Sequence, residues 1–219
     1  MLKGNSGQYD NRHQFDGFFM GLYRRNELLL IISAAVFLGS LFAGYFLSSF
    51  IDPIMANVFN SFRDRVGRGE IKLTTISIFA NNLQIAFSLY AGGIIVGLIT
   101  IWILVFNGIF IGYAASKFPI GDFIIYTIPH GIFELTGIII AGAAGLRLAS
   151  TVIHIINDAR KIKRYMSIPD QFINVLNANY FEFKESLALL IIAAILIFIG
   201  AVIEANFTIS WANYIKGFI

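Results

Sequence analysis

Apolar residues along the chain form long runs that short polar or charged segments separate. Two of these runs, Leu28–Phe50 and Leu187–Ile203, contain no charged residue. A helix needs roughly 20 apolar residues to cross about 30 Å of hydrocarbon, since each residue adds about 1.5 Å. We therefore expect the first membrane crossing at 28–50 and the last at 187–205.

The middle of the chain divides less cleanly. The charge-free stretch Leu73–Ser116 is too long for one crossing and too short for two comfortable ones, and its best single span is 83–106. Polar and helix-weakening residues then interrupt the apolar sequence: Lys117, Pro119, Gly121, Asp122, Pro129, His130, Glu134 and Arg147. This pattern predicts two short or bent crossings, at 109–128 and 129–153, and five crossings in all.

A broken or re-entrant segment is expected in this central region. Proline lacks a backbone N–H and glycine weakens a helix interior, so helical hydrogen bonding should fail around Asn107–Gly108, Pro119, Gly121 and Pro129. Irregular backbone at membrane depth is tolerated only against protein or a water-filled cavity. The pattern therefore places this region at the centre of the bundle, and transporters use such breaks to bind ions and substrates.

The connecting segments 51–72 and 157–185 have amphipathic patterns. Their apolar positions recur at helical spacing, namely Ile51, Met55, Val58, Phe62 and Val66 in one, and Phe172, Val175, Leu176 and Phe183 in the other. Such patterns are typical of helices that lie on a membrane surface, and a partner protein could cover the same apolar faces.

Small residues recur at four-residue intervals and predict close helix packing. Helices in lipid gain little from hydrophobicity when they associate, so close backbone approach matters more. The sets are Gly137, Ala141, Gly145 and Ala149, then Ala35, Gly39 and Ala43, then Gly93 and Gly97, then Gly108 and Gly112. They indicate contacts within the chain or across a homodimer, and we expect self-association or association with other membrane proteins.

Composition supports a membrane protein. Hydrophobic residues make up 57% of the 219 residues and charged residues 13%, against about 45–50% and about 25% in ordinary globular chains. The sequence predicts an all-α, polytopic transmembrane bundle at 27–219, with the lipid bilayer as its solvent, after a cytoplasmic segment at 1–26. A net charge of +3 without a basic stripe argues against nucleic acid, and the lack of cysteine excludes disulfides and thiolate sites.

Charge clusters predict the orientation in a cell membrane. The positive-inside rule places two clusters in the cytoplasm, Lys3, Arg12, Arg24 and Arg25, and Arg160, Lys161, Lys163 and Arg164. An even number of crossings must then separate them, and four plus the last span place the C-terminus outside. A third cluster would lie outside and opposes this orientation: Arg63, Arg65, Arg68 and Lys72.

Three ionisable residues are expected at a similar depth near the external side. His130 and Glu134 share one helix face because they are four residues apart, and Glu204 lies near the end of the last span. Three roles are open to them: a hydrogen-bonded cluster that fixes helix register, a proton or ion relay, or a divalent metal site. One His with two acids is a weak metal signature, and no protease, hydrolase or phosphate-loop motif is present. We expect no catalytic residue and no cofactor.

Two other charged groups have simpler expected roles. Lys117 and Asp122 are expected to pair across a short turn or to reach water. Arg147, near the cytoplasmic end of its helix, is expected to extend toward lipid phosphates.

Several of these residues form a pattern together. They are Asn81-Asn82, Gly93-x-x-x-Gly97, Asn107-Gly108-x-x-x-Gly112, Pro129-His130-Gly131-x-x-Glu134-Leu135, the run Ala141-Gly142-Ala143-Ala144-Gly145-Leu146, and Glu204-Ala205. The pattern resembles the stage II sporulation protein M family, in its archaeal and non-sporulating form. The resemblance covers about residues 81–205, and we expect it to include the first span. Its most specific part is the Pro-His-Gly-x-x-Glu-Leu element.

In spore-forming bacteria the founding member of that family is a membrane scaffold that works with cell-wall hydrolases during engulfment of the forespore. The resemblance implies a membrane-embedded, complex-forming protein, without a sporulation role here and without a catalytic role for His130 or Glu134. The leading hypothesis is thus a non-enzymatic scaffold or complex subunit. The alternative is a channel or transporter with a polar site around His130, Glu134 and Glu204, and an intramembrane metalloenzyme is third.

Overall fold

A computed structural model describes residues 17–70, 74–161 and 167–218. Most of the predicted cytoplasmic segment 1–26 lies outside these ranges. The same holds for five of the basic residues used to orient the chain: Lys3, Arg12, Lys72, Lys163 and Arg164.

Within the described ranges the chain forms seven α-helices and no β-strand. They are α1 (Phe18–Phe46), α2 (Ser48–Gly67), α3 (Thr75–Ala91), α4 (Leu98–Ser116), α5 (Ile120–Ala159), α6 (Ile168–Asn206) and α7 (Thr208–Lys216). Five of these helices, α1 and α3 to α6, are long and apolar enough to cross a membrane. The predicted all-α, five-span, multi-pass membrane fold is confirmed.

Close contacts between helices fix their relative directions. A Cβ on Gly108 of α4 would meet Phe37 of α1, and one on Gly112 would meet Leu41. Because both contacts advance along the two helices together, α1 and α4 run parallel.

Helices α5 and α6 run antiparallel and define the two ends of the bundle. Arg147 of α5 contacts Glu185 in the first half of α6, whereas His130 contacts Thr208, just beyond the end of α6. We call the side where α1 begins the Glu185 end and the opposite side the His130 end.

Helices α3 and α4 form a hairpin whose turn lies at Val96 and Gly97. These two residues have φ angles of 52° and 78°, in the left-handed region, and follow a short 3-10 turn over Gly92–Ile95. Across the hairpin, the Thr100 hydroxyl donates a 2.8 Å hydrogen bond to the Leu89 carbonyl. The predicted single crossing at 83–106 is therefore wrong, since the turn divides this stretch into two helices.

Helix α5 is continuous through Pro129, so the predicted division into crossings at 109–128 and 129–153 is wrong. The expected break at Asn107–Gly108 is also absent, because both residues lie inside α4. A proline removes one backbone donor, and tertiary contacts can override that local cost. Here Pro129 lines an apolar groove together with Ile203 of α6 and Trp211 of α7.

Helices α5 and α6 both exceed the length of a membrane crossing. Their 40 and 39 residues correspond to about 60 Å each, roughly twice the hydrocarbon thickness. Beyond the apolar run that begins at Leu187, α5 continues beside α6, with His154 against Glu182 and Asp158 against Asn179. The first turns of α6 extend past the end of α5 at Ala159. We call residues 148–159 of α5 and 168–186 of α6 the paired extension. The second predicted surface helix, 157–185, is thus mainly a continuation of a membrane span.

The first predicted surface helix, at 51–72, corresponds to α2, which packs on the His130 end of α4. Its Phe59 ring meets Tyr113 edge-on at 6.0 Å, and its Phe62 ring meets Phe110 at 5.7 Å. The helix ends at Gly67, and residues 71–73 lie outside the described ranges.

Most of the predicted small-residue sets form the core contacts. Added Cβ atoms would collide with backbone carbonyls across helix pairs, at 1.9 Å from Gly112 to Leu41 and at 2.3 Å from Gly145 to Leu89. The buried members are Gly93, Gly97, Gly108, Gly112, Gly137, Ala141, Gly145 and Ala149. The set in α1 differs, because Ala35 and Gly39 face outward and nothing described lies within 4 Å of a Cβ on Gly39.

Candidate functional site

His130, Glu134 and Glu204 meet near the His130 end of the bundle. One potential ligand atom from each residue lies within 4.8 Å of the others. His130 and Glu134 lie one turn apart on the same face of α5, and Glu204 lies in the last turn of the antiparallel α6. The packing of these two helices is what brings together residues that are 70 positions apart.

The three side chains line a cavity of about 300 Å³ between the membrane-spanning helices. Further polar groups enter from three helices, with Ser77, Asn81 and Asn82 from α3, Asn107 from α4 and Thr127 from α5. No lysine or arginine is among the described residues that line it. Two carboxyl groups therefore share a partly apolar space with no protein cation among its lining residues.

His130 is held by a residue that follows α6. Its Nδ1 lies 3.1 Å from the hydroxyl oxygen of Thr208, which is buried at the start of α7. That hydroxyl also donates to the Ile203 carbonyl at 3.4 Å. In the tautomer that fits this bond, the Thr208 oxygen accepts from Nδ1–H, and the lone pair of His130 lies on Nε2.

Glu134 lies against the backbone of α6 at Gly200. A Cβ on Gly200 would be 2.3 Å from Glu134 Cγ, so the space for this side chain depends on the absence of one at Gly200. The Oε1 atom of Glu134 is buried and has no hydrogen-bond partner among the described residues. A buried acceptor without a partner is costly unless it binds a proton, water or a cation.

The other predicted motif residues lie in different places. Gly131 and Asn107 line the cavity, whereas Gly108 packs against α1 and Pro129 lines a separate apolar groove. The residues that the sequence did not assign to the site are Ser77, Asn81, Asn82, Thr127, Gly200 and Thr208. The Asn81-Asn82 pair belongs to the sequence pattern, but asparagine residues often cap helix ends, so the pair alone does not predict a place in the site.

A groove beneath α2 adjoins the cavity. It encloses about 540 Å³ and shares four lining residues with the cavity: Phe62, Asn81, Asn107 and Phe110. Polar residues of α2 lie along it, including Asn57, Ser61 and Arg65. The cavity therefore borders α2, the helix that packs over α4, on one side.

A second charged cluster lies at the opposite end. Glu185 of α6 is 3% exposed and accepts hydrogen bonds from Arg25 of α1 and, at 2.7 Å, from Arg147 of α5. The prediction that Arg147 extends to lipid phosphates is wrong, because its guanidinium turns inward to Glu185. This cluster ties three helices together where the paired extension leaves the bundle.

Two ion pairs close the His130 end at the surface. Lys117 pairs with Asp52 of α2 at 2.5 Å, and Asp122 pairs with Lys216 of α7 at 2.7 Å, so the expected Lys117–Asp122 pair does not form. Hydrogen bonds from Lys117 and then from Tyr113 lower the pKa of Asp52 below its ordinary value. The hydrogen bond to Asp122 raises the pKa of Lys216. These pairs attach α2 and α7 to the spans beside the cavity.

Comparison with known proteins identifies relatives of the whole bundle. The family model described as Stage II sporulation protein M matches residues 30–209. Two similar proteins come from Methanocaldococcus jannaschii: MJ0793 is 31% identical over 144 residues, 64% of this chain and 73% of that protein. MJ0706 is 25% identical over 202 residues, 86% of this chain and 85% of that protein. No solved structure matches the chain. With the family model covering four of the five spans in full and most of the first, this chain belongs to the stage II sporulation protein M family.

Proposed function

We propose that this chain is a non-enzymatic scaffold, a subunit of a membrane protein complex, and that the paired extension is its docking element. The observation that carries the proposal is an exposed apolar face on α6. Phe172, Leu176 and Tyr180 follow at four-residue spacing and are 46%, 43% and 54% exposed. Apolar side chains grouped on a helix that projects from a membrane span favour a protein partner.

The base of the paired extension is suited to hold a bound partner at a fixed position relative to the membrane spans. Glu185 joins α1, α5 and α6, and farther along the extension Asn179 contacts Asp158 at 3.3 Å while His154 contacts Glu182 at 3.0 Å. These contacts hold α5 and α6 together between Glu185 and Asn179. A scaffold needs such fixed geometry more than it needs a reactive site.

The orientation that we propose places the Glu185 end in the cytoplasm of a cell and the C-terminus outside. Arg24 and Arg25 at the start of α1, and Arg160 and Lys161 after α5, lie at this end. Basic residues beside membrane spans favour the cytoplasmic side. The paired extension would then recruit a cytoplasmic partner or the cytoplasmic part of a membrane protein.

Self-association through α1 is a further part of the proposal. Ala35 and Gly39 face away from the bundle, and Ala43, one turn farther on, continues the same four-residue spacing. Small residues at this spacing favour close contact between membrane helices. Gly39→Ile fills open space in the single chain, so it should leave the fold intact and convert a dimer into a monomer in nanodiscs. An unchanged mass would remove this part of the proposal.

The docking proposal is tested by site-specific photo-cross-linking in native membranes. A photoreactive residue at Leu176 should give a discrete protein adduct, whereas one at exposed Asn174, on the opposite helix face, should not. A paired Phe172→Ser and Leu176→Ser variant should lower the mass of the native complex. Adducts with lipid alone, or equal protein adducts at both positions, would contradict the scaffold proposal.

An ion channel or transporter is the second candidate, and the polar cavity is the observation that favours it. Polar residues at membrane depth often mark ion pathways. Proteoliposomes that contain the chain should then show a flux of protons or cations that Glu134→Gln and Glu204→Gln abolish. Equal flux in empty, wild-type and variant liposomes would remove this candidate.

A further inference from the structure

We propose that His130, Glu134 and Glu204 form a binding site for a single divalent transition-metal ion, of which Zn²⁺ is the probe. This inference goes beyond the proposed scaffold function, because it assigns a ligand to the cavity whatever the chain assembles with. It is carried by the arrangement of the three side chains and by the groups behind them.

The first argument is the distance between the potential ligand atoms. Zn²⁺ binds His nitrogen and carboxylate oxygen at about 2.0–2.2 Å in a tetrahedral arrangement, which places neighbouring ligand atoms roughly 3.4 Å apart. The three atoms lie within 4.8 Å of one another. Side-chain rotations that move each atom by about 1 Å would bring them to bonding distance.

The second argument is the orientation of the imidazole. A His that binds a metal usually donates its other ring N–H to an oxygen, which fixes the tautomer and the ring position. His130 has this arrangement, with Nδ1 at 3.1 Å from the Thr208 hydroxyl and that hydroxyl directed at the Ile203 carbonyl. The Nε2 lone pair is then available as a ligand.

The third argument is the charge of the cavity. Glu134 Oε1 is buried without a hydrogen-bond partner in the described part of the chain, and no Lys or Arg of that part lines the cavity. Two ionised carboxylates in such a space require a compensating charge. A divalent cation supplies that charge in full, and it also provides the orphaned oxygen with a partner.

The fourth argument concerns the remaining coordination positions. Asn82 and Asn107 line the same cavity, and the Asn107 side-chain NH₂ is used in a 2.8 Å bond to the Ile103 carbonyl. This bond leaves the Asn107 amide oxygen as an acceptor, and amide oxygens and water can complete a coordination shell. Imidazole as one ligand favours a transition metal over Ca²⁺ or Mg²⁺.

The test is metal binding by the purified, tag-free full chain in nanodiscs. We expect about one Zn²⁺ per chain after dialysis, with a rise in Tm on binding. A Glu134→Gln and Glu204→Gln double variant should lose the ion and the rise in Tm. Glu27→Gln, which removes a carboxylate from α1 far from the cavity, is the matched control and should bind as the wild type does.

A graded variant keeps the test decisive if the double variant does not fold. Thr208→Val retains the shape of the side chain but removes the acceptor of the His130 Nδ1–H bond. Loss of such a supporting group typically lowers metal affinity by about 10–100-fold. The proposal would be overturned if Zn²⁺ stoichiometry and affinity were the same in wild type, Thr208→Val and every purified carboxylate variant. Protons would then be the charge that balances the two carboxylates.

Discussion

Glu134 of α5 occupies space that Gly200 of α6 leaves open, with its Cγ only 2.3 Å from where a Cβ on Gly200 would lie. One residue without a side chain thus determines where a membrane-buried carboxyl group can stand. The site therefore depends on two positions of α6. Glu204 supplies a potential ligand, and Gly200 leaves the space that the Glu134 side chain occupies.

Gly200→Ala should therefore move the Glu134 carboxylate more than it disturbs the fold. The colliding atom belongs to a flexible side chain, whereas the nearest backbone atom, Glu134 N, is at 3.3 Å. We expect Zn²⁺ affinity to fall by about 10–100-fold, as for other changes that reorient a ligand, with a small change in Tm. Titration of Zn²⁺ in nanodiscs together with thermal unfolding checks this, and an unchanged affinity would contradict it.

Gly112→Ala should instead destabilise the fold. The new methyl group would lie 1.9 Å from the Leu41 carbonyl oxygen and 2.8 Å from the Tyr45 nitrogen, so two helix backbones must separate. Overpacking of this kind costs about 1–3 kcal/mol. Gly121→Ala is the control, because nothing described lies within 4 Å of its Cβ position. Equal unfolding midpoints of the two variants in a denaturing-detergent titration would refute the predicted α1–α4 contact.

Replacing Glu185 should weaken the base of the paired extension. Glu185→Gln removes the anionic partner of Arg147 at 2.7 Å and leaves this side chain, which is 15% exposed, with Glu182 at 3.9 Å. Breaking a buried pair costs about 3–5 kcal/mol, and we expect the lower end because Arg25 stays partly hydrated. Glu182 lies farther from Arg147, at 3.9 Å, and its side chain is 23% exposed, so Glu182→Gln should cost at most about 1 kcal/mol. The free energy of unfolding of both variants is the measurement, and a smaller loss for Glu185→Gln would contradict the assignment.

The attachment of α2 should depend on pH through Asp52. The pKa of Asp52 is lowered from its ordinary 3.8 by hydrogen bonds from Lys117 and Tyr113, so the stability from this contact is present above pH 3.8. It is lost as the pH falls through the lower folded value. Lys117, whose pKa is raised from 10.5, should keep the contact intact up to at least that pH.

A spin label attached at neutral pH to a single cysteine placed at Asn60 in α2 measures this release. The mobility of the label should rise as the pH falls below 3.8 in the wild-type background. In an Asp52→Asn background the mobility should be high at neutral pH and nearly independent of pH. A wild-type mobility that is constant down to the acid unfolding of the whole bundle would contradict the prediction.

The sequence predicted the number of spans correctly although it misplaced two of their boundaries. Proline and glycine at Pro129 and Gly108 suggested breaks that tertiary packing overrides, while the actual turn at Val96 and Gly97 lies in an unbroken apolar run. The prediction has one crossing too few before Ser116 and one too many after it, so the two errors cancel in the total. The positive-inside rule constrains only the parity of the crossings, so it could not detect either error.

The sequence predicted the three ionisable residues of the site but not most of the residues that surround them. The four-residue spacing of His130 and Glu134 determines that they share a helix face, and the antiparallel order of the spans places Glu204 at their depth. A shared depth does not determine which helix faces meet. The faces that meet depend on the packing of α5 against α6 around Gly137 and Gly200. Thr208 was not predictable, because it lies beyond the last predicted span, in the short helix α7, and nothing in the sequence pattern links it to His130.

Single cysteines can settle the orientation and the α3–α4 turn together, since the chain has no cysteine of its own. In spheroplasts, a membrane-impermeant maleimide should label Asn213→Cys in α7 directly, and Asn177→Cys in the paired extension only after permeabilisation. Val96→Cys should behave as Asn177→Cys does, because Val96 is 48% exposed at the turn on the Glu185 end. If residues 83–106 were one crossing, position 96 would lie in mid-membrane and stay unlabelled in both conditions. The reverse pattern at positions 177 and 213 would keep the fold and invert the chain in the membrane, placing the docking face of α6 outside the cell.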